Sequence, residues 1–321
     1  MLKYKQNKKI LALSPMDGVT DSPMRQITKK YGQPDLMWTE FVNVEGLHFA
    51  KKKLGHNLIF TELEKPMIAQ IYGIRPEFFY EATLEICRLG FAGVDINFAC
   101  PARTVLKSGG GGSMILKSDL AKEIVRAVQK AVTEYAESNK SEPLPVSVKT
   151  RIGFDQPMLE TWLAMLLSLK LALITIHGRT VKQAYTGEAD WEQIDKAVKM
   201  RDQLAPATAI FGNGDIKNYQ QAHERIQQSG VDGVLIGRGA IGNPWVFKEQ
   251  EPALAEKVKV AIEHCQLYEQ AYQERKNYSF AGMKKHLAAY INNFPRAREV
   301  RMQLMMTNSA IEAIEILKRI T

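Results

Sequence analysis

Cysteine is scarce in this sequence: Cys87, Cys100 and Cys265 are the only three among 321 residues. An odd, widely spaced set offers no disulfide framework and no zinc-ligand spacing, which points to a reducing cytoplasm. Long apolar runs are missing too; none approaches the roughly 18 residues of a membrane-spanning helix, so no membrane partner is expected. The opening stretch MLKYKQNKKILALSP is basic and then only briefly apolar, which is too short for a signal peptide and lacks a small-residue cleavage site. It reads as a basic entry into a first strand. Charge of one sign is not abundant either. The 43 basic and 35 acidic residues leave a net charge of +8, a bias that favours a polyanionic partner only slightly. Internal repeats and low-complexity segments are absent, and nothing demands an obligate protein partner, so a cytoplasmic monomer is the expectation.

What is present is alternation. Short β-branched runs recur at 10–15, 35–40, 66–73, 93–97, 145–150, 172–178, 208–214 and 231–237. Between them lie segments with helical periodicity, such as DLAKEIVRAVQKAVTEYAES, where apolar residues fall near i, i+3, i+4 and i+7. Strand alternating with helix implies a parallel sheet with crossover helices. Eight such units across about 240 residues fit a closed (β/α)8 barrel better than an open sheet. Beyond Pro244 the strand-like runs cease. Residues 250–321 read as a small all-helical C-terminal domain, leaving 1–249 as the α/β TIM barrel.

A barrel of this kind carries its chemistry on the loops that follow the strands. Polar or reactive residues stand at those points: Asp17, Gln70, Asn97 with Cys100, Lys149, His177, Asn213 with Asp215, and Arg238. The seventh run is followed by GNGD (212–215) and the eighth by GRGAIGNP (237–244). Glycines there let backbone N–H groups approach an anion, and Arg238 adds a charge-assisted bond, so a phosphorylated ligand is expected at this end. The match of GRGAIG to G-x-G-x-x-G is not a dinucleotide fingerprint, because no βαβ unit follows it. Cys100 lies just past an apolar run, before a proline and shortly ahead of SGGGG (108–112), a setting that suits a reactive loop thiol. Cys87 and Cys265 fit helix positions and read as structural, and His48, His56 and His223 carry no motif.

The ordered set SPMDGVTDSPMR, INFACPARTV with GGGG after it, VKTRIG, IHGRT with YTGEADW, FGNGDI and GRGAIGNPW resembles the tRNA-dihydrouridine synthase family, flavin-dependent barrel enzymes. The likeness spans residues 10 to about 247, with a weaker echo in MKKHLAAYINNFP, and Ala99 stands where many members carry glycine. The resemblance implies bound FMN, NADPH as electron donor, and hydride delivery from flavin N5 to C6 of a uracil in tRNA. Cys100 would then protonate C5, which a thiol with an ordinary pKa of about 8.5 can do near neutral pH. It also implies that Pro15, Met16 and Asp17 line the flavin and that Gln70 pairs with its pyrimidine edge. Lys149 would stabilise the reduced ring, and His177 would touch the flavin or its phosphate side. Asn213, Gly214, Asp215, Gly237 and Arg238 would hold ribityl and phosphate, and Asn97 would orient the uracil.

A base inside folded RNA must be drawn out of its stack, at a cost that phosphate contacts have to offset. Residues 275–301 hold seven Lys or Arg and one Glu. Lys284, Lys285, His286, Arg296, Arg298 and Arg301 are the expected RNA contacts there, with Arg103 and Lys107 on the cysteine loop and Arg179 and Tyr185 after the sixth strand. Tyr278, Phe280, Tyr290 and Phe294 are packing or stacking groups. Two other readings stay open at this point. One is a flavin barrel acting on a free small molecule, in the manner of dihydroorotate dehydrogenase, against which the basic helical tail argues. The other is a barrel that binds RNA without redox chemistry.

Overall fold

In the computed structural model, residues 4, 8–275, 278–292 and 294–320 are described, without the side chains of 51–56. Lys276 of the basic stretch, most of the basic N-terminal entry and the side chain of His56 therefore lie outside the described residues. The strands are β1 (Ile10–Leu13), β2 (Leu36–Trp38), β3 (Val42–Asn43), β4 (Met67–Tyr72), β5 (Gly93–Asn97), β6 (Val146–Arg151), β7 (Leu173–His177), β8 (Ala209–Asn213) and β9 (Gly233–Ile236). All pairings between them are parallel, and the β1–β9 and β2–β4 contacts close eight of the nine into a ring. The ring is the (β/α)8 barrel expected from the strand count. The two-residue β3 is the addition, appended to the end of β4 through Val42 and Asn43.

Side chains along a strand alternate between faces, and that period sorts the barrel into two cores. Outward-facing Leu11, Met37, Ala69, Ile96, Val148, Ile174, Ile210 and Val234 belong to the large core beneath the helices. Inward-facing Ile10, Leu36, Ile68, Leu173, Ala209, Phe211 and Leu235 fill the lumen, together with Tyr4, whose ring meets Phe211 edge-on at 6.2 Å. The apolar filling stops partway up. On the same inward parity, nearer the C-terminal ends, come Gln70, Asn97, Lys149, His177 and Asn213. Register sets them side by side: Asn97 is level with Lys149, and His177 with Asn213.

The outer helices follow the periodicity of the sequence. Helix Ser118–Asn139 buries Ala121, Ile124, Val125, Val128 and Val132, one stripe of its surface. Helix Tyr219–Ser229 starts where the Asn218 side chain accepts from the Gln221 N–H, and it ends at Gly230 with φ 68°.

Among the described residues after Phe247 four helices follow, Leu254–Tyr272, Ala281–Tyr290, Ala297–Met306 and Ala310–Lys318. They enclose a core of their own around Cys265, Met283, Leu287, Tyr290 and Leu317, into which the barrel inserts Ile27 and Trp245. Tyr31 adds a hydrogen bond to Glu263 at 2.6 Å. Two barrel loops also touch helix Ala281–Tyr290. Gly242 lies so close that a Cβ there would sit 2.6 Å from the Tyr290 nitrogen, and Lys285 Nζ donates to the Gly18 carbonyl. No helix among the described residues is long and apolar enough to cross a membrane.

Candidate active site

The C-terminal ends of the strands open into a cavity of about 1530 Å³. Its lining includes Pro15, Met16, Asp17, Asn97, Cys100, Lys149, Arg151, His177, Arg179, Tyr185, Asn213, Gly214, Asp215, Gly237 and Arg238. Thus nearly every strand-end residue singled out in the sequence meets in one place. Gln70 is the exception: it is fully buried behind Asn97, with Nε2 donating to Asp95 at 2.5 Å and Oε1 accepting from Asn97 at 2.9 Å.

Cys100 stands on a tight turn. Asn97 Oδ1 accepts from the backbone N–H groups of both Ala99 and Cys100, each at 2.9 Å. The glycine run explains itself here. Gly112 N–H donates to the Cys100 carbonyl at 3.0 Å, and a Cβ on Gly111, whose φ is 54°, would lie 3.1 Å from the cysteine Cβ. Only glycine lets that second loop pack flat against the cysteine. Burial pushes the thiol up from its ordinary value; the Ala102 N–H and the charges of Arg151 and Lys149 work against the rise, and Asp17 adds to it. The sulfur therefore carries its proton at neutral pH.

Lys149 is buried to 7% exposure at the end of β6. Burial, with the Arg151 charge alongside, pulls it down to about 8. Among the described residues its Nζ makes no hydrogen bond and no ion pair, so a buried ammonium points into the cavity with its donors unused. His177 is held well below its ordinary range by burial and by Lys149, Arg151, Arg179 and Arg238. It is therefore neutral. Arg179 Nη1 lies 3.4 Å from its Nε2, and a guanidinium can only donate, so the ring proton sits on Nδ1.

Asp215 gathers two guanidinium groups. It accepts from Arg179 at 2.7 Å and from Arg238 at 3.0 Å. Burial opposes its charge, yet Arg179, the Ala189 N–H and Arg238 hold it below the usual carboxylate range. Gly214 has φ 137°, and a Cβ there would be 2.5 Å from that of Ala189. Tyr185, 62% exposed, stands at the rim with the Arg238 guanidinium 5.5 Å from its ring centre. These features fit a flavin phosphate ester: the glycine backbone of Gly214 and Gly237, the Arg238 guanidinium and the Lys149 ammonium all line the one cavity. The volume exceeds the roughly 300–1,000 Å³ usual for one small ligand, enough for a second group beside the first.

The expected RNA contacts fall into three sets. Arg103, Lys107, Arg296 and Arg298 are exposed and Lys284 is half-buried, although Arg296 is paired with Glu299 at 3.0 Å. Others are engaged within the protein: Lys285 on Gly18, Arg301 on the Ile291 carbonyl at 2.8 Å, and Arg179 on Asp215, the Thr186 carbonyl at 3.2 Å and the Gly187 carbonyl at 2.6 Å. His286 departs from the expectation of a surface contact: it is 2% exposed, inside the helical core, with its ring centre 4.7 Å from that of His264 and the two planes tilted by 56°. Phe280 and Tyr290 are buried in that core, while Tyr278 and Phe294 pack against it.

Three further residues beside the site escaped sequence reasoning. Arg151 is buried at 3% and binds the carbonyls of Ala99 at 2.7 Å, Thr180 at 2.9 Å and Ala184 at 3.0 Å, tying the cysteine loop to the Tyr185 loop. Asp95 lies under Gln70. The signal for both was parity, since each is two residues from a lumen-facing site residue on its own strand. Glu40 accepts from the Gly18 N–H at 2.6 Å and is raised to about 7 by burial and by Asp21 and Asp17; nothing local in the sequence marks it.

The family described as dihydrouridine synthase matches this chain over residues 11–321. A probable tRNA-dihydrouridine synthase of Staphylococcus aureus (strain MRSA252) is 34% identical over 314 residues, covering 95% of this chain and 91% of the relative. Probable tRNA-dihydrouridine synthase 2 of Bacillus subtilis (strain 168) is 34% identical over 310 residues, covering 95% and 92%. Among solved structures, an old yellow enzyme homologue from Zymomonas mobilis superposes with a TM-score of 0.49 at 14% identity, over 76% of this chain and 89% of that one.

Proposed function

Because this chain belongs to the dihydrouridine synthase family, we propose that it reduces the C5–C6 double bond of uridines in tRNA, using FMN and NADPH. The observation that carries the reading is the sharing of one cavity by a protonated loop thiol and a buried, unpaired ammonium. Bound FMN, reduced by NADPH, would supply the hydride for C6. The chain supplies the rest. Cys100 gives its proton to C5 and regains one from water, so the uracil gains one hydride and one proton. Lys149, buried in the cavity lining, would stabilise the negative charge that flavin reduction develops, and the low dielectric of its site would strengthen that interaction. Neutral His177 offers Nδ1–H as a donor without adding charge. Asn213, Gly214, Gly237 and Arg238 would hold the ribityl phosphate, with Asp215 orienting Arg238.

The helical unit, residues 250–321, would seat the tRNA. Lys284 and Arg298 there, with Arg103 and Lys107 beside the cysteine loop, supply phosphate contacts that offset the unstacking of the target base. Tyr185 at the rim is placed to stack on an extruded base. Asn97 faces the cavity, but its carbonyl oxygen serves the cysteine turn and one amide N–H serves Gln70, so its second N–H would meet the uracil.

The test is mass-spectrometric mapping of dihydrouridine in RNA from cells with and without the gene. We expect specific tRNA positions to revert to uridine in its absence. An unchanged map would overturn the assignment.

A further inference from the structure

Across β4, β5 and β6 one register row reads Gln70, Asp95, Ser147. All three are buried in the lumen, at 0%, 1% and 0% exposure. Their hydrogen bonds form a directed chain that ends at the reactive cysteine. Ser147 Oγ donates to Asp95 Oδ1 at 2.6 Å, and Gln70 Nε2 donates to Asp95 Oδ2 at 2.5 Å. Asn97 Nδ2 donates to Gln70 Oε1 at 2.9 Å, and Asn97 Oδ1 accepts from the N–H groups of Ala99 and Cys100.

Both ends of this chain have a single role. An ionised carboxylate only accepts, and a backbone N–H only donates. The two amides between them could each be turned either way in isolation. Here every arrow must run toward Asp95. Turning either amide would set donor against donor or acceptor against acceptor in a buried row, where an unmade bond is costly.

We propose that Asp95 is a positioning residue for Cys100: its carboxylate fixes the orientation of Gln70, Gln70 fixes Asn97, and Asn97 holds the turn that presents the thiol. The proposal rests on the reading of Cys100 as the proton donor, and its two deeper members, Asp95 and Gln70, do not line the cavity. It also accounts for Gln70 lying behind the cavity.

The test compares full-length Asp95→Ala, Gln70→Leu and Asp95→Asn proteins with the parent. The readouts are the rate of Cys100 alkylation by iodoacetamide, mapped by mass spectrometry, and the turnover of unmodified tRNA. Asp95→Ala removes the acceptor and Gln70→Leu cuts the next link at similar volume. Asp95→Asn restores an acceptor for Gln70 while its own amide donates to Ser147. In the first two, Cys100 alkylation should rise about tenfold as the turn loosens, and turnover should fall about 100-fold from a misplaced acid. Asp95→Asn should stay within a few-fold of the parent in both.

Parental alkylation in a folded Asp95→Ala or Gln70→Leu protein overturns the proposal. So does Asp95→Asn behaving like Asp95→Ala, or a failure of both cutting variants to fold, which would reduce the row to a structural role. Normal turnover by Cys100→Ala would instead defeat the acid reading and leave the alkylation comparison intact.

Discussion

The mouth of the barrel and the core of the helical unit each bury a cysteine and a histidine, yet only at the mouth do the two line an open cavity. In the helical unit Cys265 is fully buried and pushed up to about 12 by burial, with Glu269 adding to the rise. His264, lowered by burial to about 3, lies against the tilted ring of His286, which burial also lowers, and two ring nitrogens of the pair have no hydrogen-bond partner among the described residues. None of these three lines the cavity at the barrel mouth. There Cys100 is also raised by burial, but Arg151 and Lys149 stand within electrostatic reach and its backbone is gripped by Asn97. A displaced pKa therefore does not mark a site by itself. Burial shifts both regions alike; what separates them is an open face and charges aimed at it.

The sharpest way to break this contrast is to remove each thiol. Cys100→Ala should lower uridine reduction by about 10²–10⁴, the usual worth of a positioned general acid, without shifting the melting temperature. Cys265→Ala should do the opposite, costing about 1–2 kcal/mol of stability with no change in rate. Equal rate losses would dissolve the distinction.

Lys149 gives a pH signature. Its folded value of about 8 lies below the ordinary 10.5, so between those values the unfolded chain binds the extra proton. Stability of the flavin-free protein should rise from pH 8 toward 10.5, and Lys149→Met should flatten that rise. Lys149→Met should also slow flavin reduction by about 10²-fold or more. A stability curve unchanged by the substitution would mean the ammonium is not desolvated.

The histidine pair supplies the counterpart on the acid side. Both histidines titrate lower in the folded protein than the roughly 6.5 of an unfolded chain, so stability should fall as pH drops below that value. His286→Leu should reduce this acid loss, read by denaturation at pH 5 against pH 7, while tRNA affinity stays as it was. Weakened tRNA binding would restore the role expected of His286 from sequence.

The smallest effects belong to exposed cations. Lys284→Ala or Arg103→Ala should make the slope of log affinity against log salt shallower by about one for each phosphate that the cation neutralises. Lys285→Ala should leave that slope alone and instead reduce flavin retention, because its ammonium holds the Gly18 carbonyl in the loop of Met16 and Asp17.

Legibility in the sequence followed the periodicity. The lumen residues Asn97, Lys149, His177 and Asn213 were found because each closes a strand-like run, and in a parallel barrel such ends converge. Arg151 was passed over although it shares that parity, because it lies one residue beyond the run's apparent end. His286 failed for a different reason. Composition places a basic residue in a basic stretch, but the face of a helix that turns inward depends on what packs against it. Here His286 is turned inward beside His264, at 2% exposure.

Order and spacing along the chain were enough to set the barrel, the cysteine loop against its glycines, and the anion end of the strands, because these depend on two-residue alternation and on backbone that only glycine can adopt. The direction of the amide chain from Asp95 to Cys100, the unpaired charge of Lys149 and the burial of His286 were decided by the tertiary structure alone. Each depends on which groups from distant segments face one another once water is excluded, and local sequence does not encode that.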